Sequence, residues 1–351
     1  MAQETVRLAE YAAALRYQDL PAEVVQRAKE CIIDTVAAII CGAALPWSRI
    51  VAEYARRTGP GGKSNILGAA PFGGAVAAGH LLRLDAAAMT NALGIAGSLC
   101  GGLLEFARGN GGMVKRLHLG RASEAGVLAA SLAADGFTGP RTVLEGEFGF
   151  LRVFCTKWDE AELTRGLGEE FVVSTTVLKR YPLHATAHAA VKAAHELQAE
   201  HGFTGAQVEA ITVTGNQRVV ERHNILEPAD LMLAQYSVPF CVALALYREA
   251  RDPESFDEAA LADAQIRALC RRVRLVPEPT GQHGGMASTV TITLTDRRRF
   301  ECRAENGMLK PGELADKFLR LTRAALGQDN AATLYERLQG LEDEENVDWL
   351  T

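Results

Sequence analysis

Residues 122–134 read ASEAGVLAASLAA. Glu124 is the only charged residue in the run, no proline interrupts it, and Gly136 to Pro140 punctuates its end. Alanine is the strongest helix former, so the run predicts a helix. Its side chains are so small that a neighbouring helix can approach almost to backbone contact, because interaxial distance follows the residues at the crossing. Working outward, the same small-residue texture recurs in Gly73 to Leu82 and Ala86 to Leu93, which predict a helical pair. Thr5 to Leu15 is amphipathic, and Pro21 is well placed to open a helix running through Ala22, Val25, Ala28 and Ile32 to end near Gly42. The second half of that helix, Thr35 to Cys41, is nearly all apolar and is expected to be buried. Ser48 to Thr58 predicts a third helix, Gly59-Pro60-Gly61-Gly62 a turn, and Ile66 with Leu67 the end of a short element. Leu144 to Phe154 reads as a loop.

The texture changes after about Phe171. Val208 to Val213 alternates and is β-branched, Arg274 to Val276 reads as a further strand, and Thr289 to Leu294 with Arg299 to Arg303 flank Asp296-Arg297 as a hairpin. Helices are expected at Ala185 to Glu200, Leu231 to Tyr247 and Glu258 to Val273, then again at Glu313 to Leu326 and Ala331 to Leu341. An all-helical first half is therefore followed by an α+β segment and a helical tail.

The chain has 351 residues, more than one core usually holds, so two domains are expected. Its net charge of −6 argues against a nucleic-acid partner, which calls for a basic surplus or stripe. No run of eighteen apolar residues occurs, so no membrane partner is expected, and Met1 to Tyr11 lacks the basic and apolar regions of a signal peptide. The seven cysteines are odd in number, form no C-x-x-C and mostly sit in apolar runs. They read as reduced, buried small hydrophobes, which fits a cytoplasmic protein.

Two segments carry candidate chemistry. Gly101 to Gly120 reads GGLLEFARGNGGMVKRLHLG, with Gly109, Gly111 and Gly112 just before Lys115, Arg116 and His118. A glycine-rich loop lets backbone approach a ligand, and the adjacent cations suit a carboxylate or phosphate; a flexible loop with solvated charges explains the same residues. The G-x-x-x-x-G-K-[ST] pattern of a phosphate loop is absent. Leu178 to His188 reads LKRYPLHATAH. His184 and His188 are four apart, which invites a zinc reading, but the glutamate of H-E-x-x-H is missing. A lysine beside a histidine serves better as an anion clamp with a proton donor or acceptor, since imidazole titrates near neutrality. Lys179, Arg180 and His184 carry that reading, while His188 reads as a buried or capping histidine. His80, His195, His201, His223 and His283 read as structural or solvated. No G-x-S-x-G nucleophile elbow is found.

The runs DLPAEVVQRAKECIIDTVAAIICG (19–42), ALGIAGSLCGGLLEF (92–106), GGMVKRLHLGRAS (111–123), LKRYPLHATAH (178–188) and AQYSVPFCVALAL (234–246), with TVTITLTD (289–296) and PGELADKF (311–318), resemble the MmgE/PrpD family. That family includes 2-methylcitrate dehydratase, cis-aconitate decarboxylase and iminodisuccinate epimerase. The resemblance implies a mainly α fold: a large all-helical domain (1–173 with 309–351) and a smaller α+β lid domain (174–308), with the active site between them. It implies a lyase or isomerase, of the dehydratase type first, acting on a small di- or tricarboxylate by proton abstraction without a metal or organic cofactor. It assigns catalysis to His184, Lys179 and Lys115, substrate binding to Arg116, His118 and Arg180, and a homodimer as the assembly. Two departures stand out. Asn65-Ile66-Leu67-Gly68 runs almost directly into Phe72-Gly73-Gly74, an internal deletion near residues 68–72 where the family carries an Asp-rich, His-containing stretch. Where members can carry an active-site tyrosine, this chain has Phe240, with Tyr236 near it in sequence. The deletion gives a second reading, a catalytically inactive shortened homologue serving as a binding or structural subunit.

Overall fold

The computed structural model describes residues 3–58, 71–107, 112–278, 286–347 and 349. The chain is mainly α-helical with one small sheet, and it divides into two compact units, 1–176 with 336–351, and 177–335. The turn expected at 59–62, the element ending at Ile66-Leu67, most of the proposed deletion point, Gly109, Gly111 and His283 lie outside the described residues.

The first unit holds α1 (Glu4–Ala14), α2 (Ala22–Ala43), α3 (Pro46–Thr58), α4 (Pro71–Leu81), α5 (Ala86–Ser98), α6 (Val114–Ala134) and α7 (Phe150–Phe154). Its centre is built from Ala75, Ala92, Ala96, Ala129 and Ala133 with Ile95, and from Ala9, Ala12, Met89 and Leu93 beside them. The small residues do what the sequence requires of them. A Cβ added to Gly126 of α6 would stand 2.6 Å from the Pro71 carbonyl and 2.7 Å from the Ala75 nitrogen of α4. One added at Gly139 would stand 2.5 Å from the Asn91 carbonyl of α5. Helix α6 thus meets α4, and the segment after α6 meets α5, backbone to backbone, and any side chain there would force them apart. The start of α1 is held by Glu145, a buried carboxylate that accepts from the Thr5 hydroxyl at 2.5 Å and the Thr5 N–H at 3.4 Å. Negative charge suits that end of a helix.

Three expectations change here. Thr35 to Cys41 is only partly buried: Val36 and Ala37 face inward, but Ile39 is 39% exposed. The segment is long enough to show every side to its surroundings, and the described neighbours cover one side only. Leu144 to Phe154 is not all loop, because Phe150–Phe154 closes into a helical turn with Phe150 edge-on to Phe72 at 5.7 Å. Of the seven free cysteines, only Cys241 and Cys270 are buried.

Gly120 sits in the interior of α6 with no described atom within 4 Å of where its Cβ would be. Glycine there only adds disorder to the unfolded chain. Gly120→Ala is expected to raise stability by about 1 kcal/mol, read as a higher urea midpoint at unchanged slope. A lower midpoint would mean that the position is crowded.

The second unit begins with the segment 177–187 and holds α8 (His188–His201), β1 (Val208–Gly215), α9 (Gln217–His223), α10 (Leu231–Tyr236), α11 (Val238–Ala245), α12 (Glu258–Ala262), α13 (Ala264–Cys270), β2 (Val273–Pro277), β3 (Ser288–Leu294), β4 (Arg299–Ala304) and α14 (Leu314–Leu326). The helix α15 (Gln328–Gln339) contains the boundary at Tyr335. The sheet order is β2-β1-β3-β4, with β1–β2 parallel and the other pairs antiparallel. Ile211 and Val213 of β1 and Val290, Ile292 and Leu294 of β3 share the buried face, the period of two that their alternation predicts, and a register shift between Val208 and Ala210 brings Val208 into the core as well. Helices α8, α11 and α13 complete this core. The β3–β4 turn is the expected one at Asp296-Arg297, with Arg297 at φ 72° and Asp296 accepting from the Arg298 N–H at 3.0 Å.

Two long helices expected from the sequence are each broken by a capping side chain. Ser237 accepts from the Phe240 N–H at 3.0 Å and starts α11, and Pro239 beside it has no N–H to continue α10. Asp263 accepts from Gln265 and Ile266 and separates α13 from α12. The tail also differs from the sequence expectation. Helix α14 belongs by its contacts to the second unit, where Arg320 pairs with Asp252 at 3.0 Å and Phe318 meets Tyr335 at 5.3 Å.

Candidate functional site

In the first unit, Lys115 and Arg116 lie in the first turn of α6, not in a loop, and His118 follows one turn on. Lys115 and His118 are three apart and share a face of the helix. Lys115 is exposed at the end of a long helix where aligned peptide dipoles favour an anion. Arg116 lies elsewhere: its guanidinium sits 4.0 Å over the Trp47 ring and donates to the Gly112 carbonyl at 3.3 Å. His118 stands edge-on to Phe106 at 5.7 Å and lines a cavity of about 600 Å³ with Gly102, Leu103, Arg121 and Leu128. Among the described residues that lining includes neither Lys115 nor Arg116.

In the second unit, the segment 178–188 is held from three sides. Lys179 pairs as an antiparallel bridge with Met308, reinforced by the Leu309 N–H donating to the Leu178 carbonyl at 2.9 Å. The His184 N–H donates to the Gln235 carbonyl at 2.9 Å, and Gln235 Nε2 returns a bond to the Pro182 carbonyl at 2.8 Å. Lys179 Nζ donates to the Leu183 carbonyl at 3.1 Å, so the lysine folds back over the residue before His184. Arg180 pairs with Glu313 at 2.5 Å, while its Nε is buried without an acceptor among the described residues.

His184 and His188 go different ways. His188 is fully buried, with Nδ1 3.3 Å from the Gly307 carbonyl and Nε2 3.4 Å from the Leu183 carbonyl. Both ring nitrogens face carbonyl oxygens, which leaves neither lone pair for a metal, and burial pushes its pKa down to about 4. His184 is half-buried, with Nδ1 2.9 Å from Thr186 Oγ1. Its ring is stacked on His223 at 4.5 Å and 27° and touches the Tyr236 ring at 4.5 Å.

The sequence points to Tyr236 only as a neighbour of Phe240, and His223 reads there as structural or solvated. His223 ends α9 and is buried, and its Nδ1 is 3.0 Å from the Tyr236 carbonyl. Burial holds His223 below the ordinary histidine range. The contact joins two helices across a loop, so no spacing in the sequence announces it. Phe240 is 1% exposed in the core, and Tyr236 is the aromatic residue that reaches His184. The remaining histidines among the described residues are structural or at the surface: His195 Nε2 meets the Ala245 carbonyl at 2.9 Å, His201 stacks on Phe300 at 3.8 Å, and His80 is exposed. Among the described residues no three His, Cys, Asp or Glu side chains gather as metal ligands, and no single helix is long and apolar enough to cross a membrane.

The chain thus has an all-helical unit and an α+β unit, each carrying a motif with Lys and His. The MmgE/PrpD N-terminal domain matches residues 6–71 and 69–162, and the MmgE/PrpD C-terminal domain matches 181–342. The chain belongs to the MmgE/PrpD family. It is 26% identical to human cis-aconitate decarboxylase over 296 residues, 80% of this chain and 60% of that protein. It is 37% identical to cis-aconitate decarboxylase of Aspergillus terreus over 135 residues, 36% of this chain and 27% of that protein. A cis-aconitate decarboxylase-like protein of Aspergillus oryzae is 31% identical over 131 residues, 35% of this chain and 27% of that protein. The matched regions thus span 60% or less of the length of these curated relatives.

Proposed function

We propose that this chain acts as a lyase or isomerase on a small di- or tricarboxylate, with His184 moving the proton and Lys179 and Lys115 holding carboxylates. The observation that carries the reading is the fixed imidazole of His184, stacked on His223 beside a lysine that bonds the preceding carbonyl. The names of the relatives support the lyase class and make cis-aconitate the first compound to test.

The chemistry needs only these groups. In the neutral state His184 accepts a proton from carbon next to a carboxylate, and the C–H electron pair stays on that carbon. Fixed ammonium charge stabilises the resulting carbanion, most effectively where water is excluded. The pair then forms the carbon–carbon double bond as the β-hydroxyl leaves, taking the proton held by His184 to become water; for epimerisation His184 keeps its proton while a lysine ammonium on the other side of the carbanion donates one to the opposite face. In decarboxylation the C–C pair stays behind as carbon dioxide leaves, and protonated His184 supplies the proton to that carbon. The dehydratase, decarboxylase and epimerase outcomes differ in the substrate, not in these residues. Arg116 and His118 are proposed to flank the substrate near Lys115. Arg180, whose Nη2 is on Glu313, is proposed to join the substrate contacts through its other donors.

A second reading has an observation of its own. Many large apolar side chains of the first unit are exposed, among them Leu81 and Phe148 at 87% and Leu103 at 80%. Such surface is usually covered in a working assembly, and a binding or structural subunit would use it that way. Proton NMR in deuterium oxide separates the two. With cis-aconitate, 2-methylcitrate, citrate and iminodisuccinate, the enzyme reading predicts deuterium incorporation or conversion of at least one compound. Saturable binding without exchange of any would favour the subunit.

A further inference from the structure

We infer that His223 is the positioning residue for His184: its ring is the plate that sets the orientation of the catalytic imidazole. The inference rests on the proposed role of His184. Three observations carry it.

The first is geometric. The two imidazoles lie 4.5 Å apart at 27°, close to parallel, with the Tyr236 ring also 4.5 Å from His184. A ring in contact with two others loses most of its freedom about χ2, and Thr186 Oγ1 at 2.9 Å fixes Nδ1.

The second is that His223 is itself fixed. Its Nδ1–H donates to the Tyr236 carbonyl at 3.0 Å, at the end of α10 where a helix leaves carbonyls unmatched. Ser237, the next residue, donates from Oγ to the Ile225 carbonyl at 2.5 Å and so ties the chain just after His223 to the same place. The ring is therefore held by the last residue of α10, and the chain just beyond it by the capping residue that breaks the long helix.

The third is charge. Burial keeps His223 neutral, and Arg222 next to it in the chain pushes the same way. When His184 takes up a proton it faces the π surface of a neutral ring rather than a second cation, an arrangement that favours the imidazolium.

The test separates ring from hydrogen bond. His223→Ala removes both, His223→Phe restores the ring face without the donor, and His223→Asn keeps a donor without the ring. For a substrate that the wild type converts, His223→Ala is expected to lower kcat by about 10- to 100-fold with KM within about twofold, and His223→Phe to recover most of the loss. His223→Phe no better than His223→Ala, or full kcat in His223→Ala, would overturn the inference while leaving the role of His184 standing. Imidazole NMR gives a readout free of turnover. Wild-type His184 Hε1 should be shifted upfield by its neighbours' ring currents, and His223→Asn or His223→Ala should move it back toward the position of a free imidazole. A wild-type His184 signal already at that position would overturn the stacking. An inactive wild type with the upfield signal would sink the enzyme reading and leave the plate in place.

Discussion

His184→Asn is expected to lower turnover by at least about 100-fold, the usual share of a positioned general acid–base group, and to leave the fold intact. The two halves of this result come from different atoms. The backbone of His184 bonds Gln235, and its carbonyl accepts from the Ala187 N–H at 3.0 Å; asparagine keeps both. The side chain contributes one contact to Thr186 and two ring contacts at a half-buried position. Their loss should cost about 1 kcal/mol of stability. Asparagine can hydrogen-bond but cannot exchange a proton near neutral pH, so it removes the chemistry and keeps most of the shape. Circular dichroism and the thermal midpoint would stay near wild type while the NMR time course goes flat. A variant that still converts substrate at the wild-type rate removes His184 from the mechanism. The proton would then have to be carried by another group, with His118 of the first unit the next to replace.

What could be read from the sequence was the part written in short-range rules. Small residues at 122–134 fixed how closely helices meet, and the Gly126 contact with α4 is that rule in atoms. The alternation of Val290, Ile292 and Leu294 and the Asp296-Arg297 turn gave the hairpin its register. The roles proposed for Lys115, Lys179 and His184 come from the family likeness, not from any short-range rule. Other features depend on contacts that no local pattern encodes. The mostly apolar run at 231–247 reads as one helix because hydrophobicity does not report where Ser237 will cap. His223 was read as a loop residue because its partner is Tyr236, reached across a turn. His184 and His188 carry the same spacing signal, yet one is stacked at the edge of a core and the other is sealed inside it. That difference is made by Gly307, where an added Cβ would stand 2.3 Å from the His188 carbonyl. The chain after β4 can close over His188 only because that side chain is missing.

The sealed histidine leads to the second large expectation: the protein should lose stability steadily as pH falls from about 7 toward 5. His188 has no exposed surface, and two carbonyls face its ring. A neutral imidazole can donate to only one of them. Protonation would satisfy both, but taking a charge out of water costs more than the second bond returns. Its pKa is accordingly lowered from 6.5 to about 4. The unfolded chain therefore binds a proton in this window that the folded chain refuses, so the stabilisation is fully present above about 6.5 and is lost as pH falls toward 4. Taken over the whole window, that difference is on the order of 3 kcal/mol. His195 and His223, also lowered by burial, act in the same direction. Glu249, held down to about 2 by Arg251, adds its own loss only below the ordinary carboxylate range near 4.5, which leaves pH 5 to 7 for the histidines. His188→Gln supplies a neutral donor for one carbonyl at every pH. It should be less stable than wild type at pH 7, because it fits the site less well, but its stability should fall less steeply toward pH 5, by up to one proton's worth. Urea unfolding of both proteins across that range measures the two slopes. Equal slopes would mean that His188 takes up its proton in the folded state, and that the two carbonyls, not the burial, govern its charge.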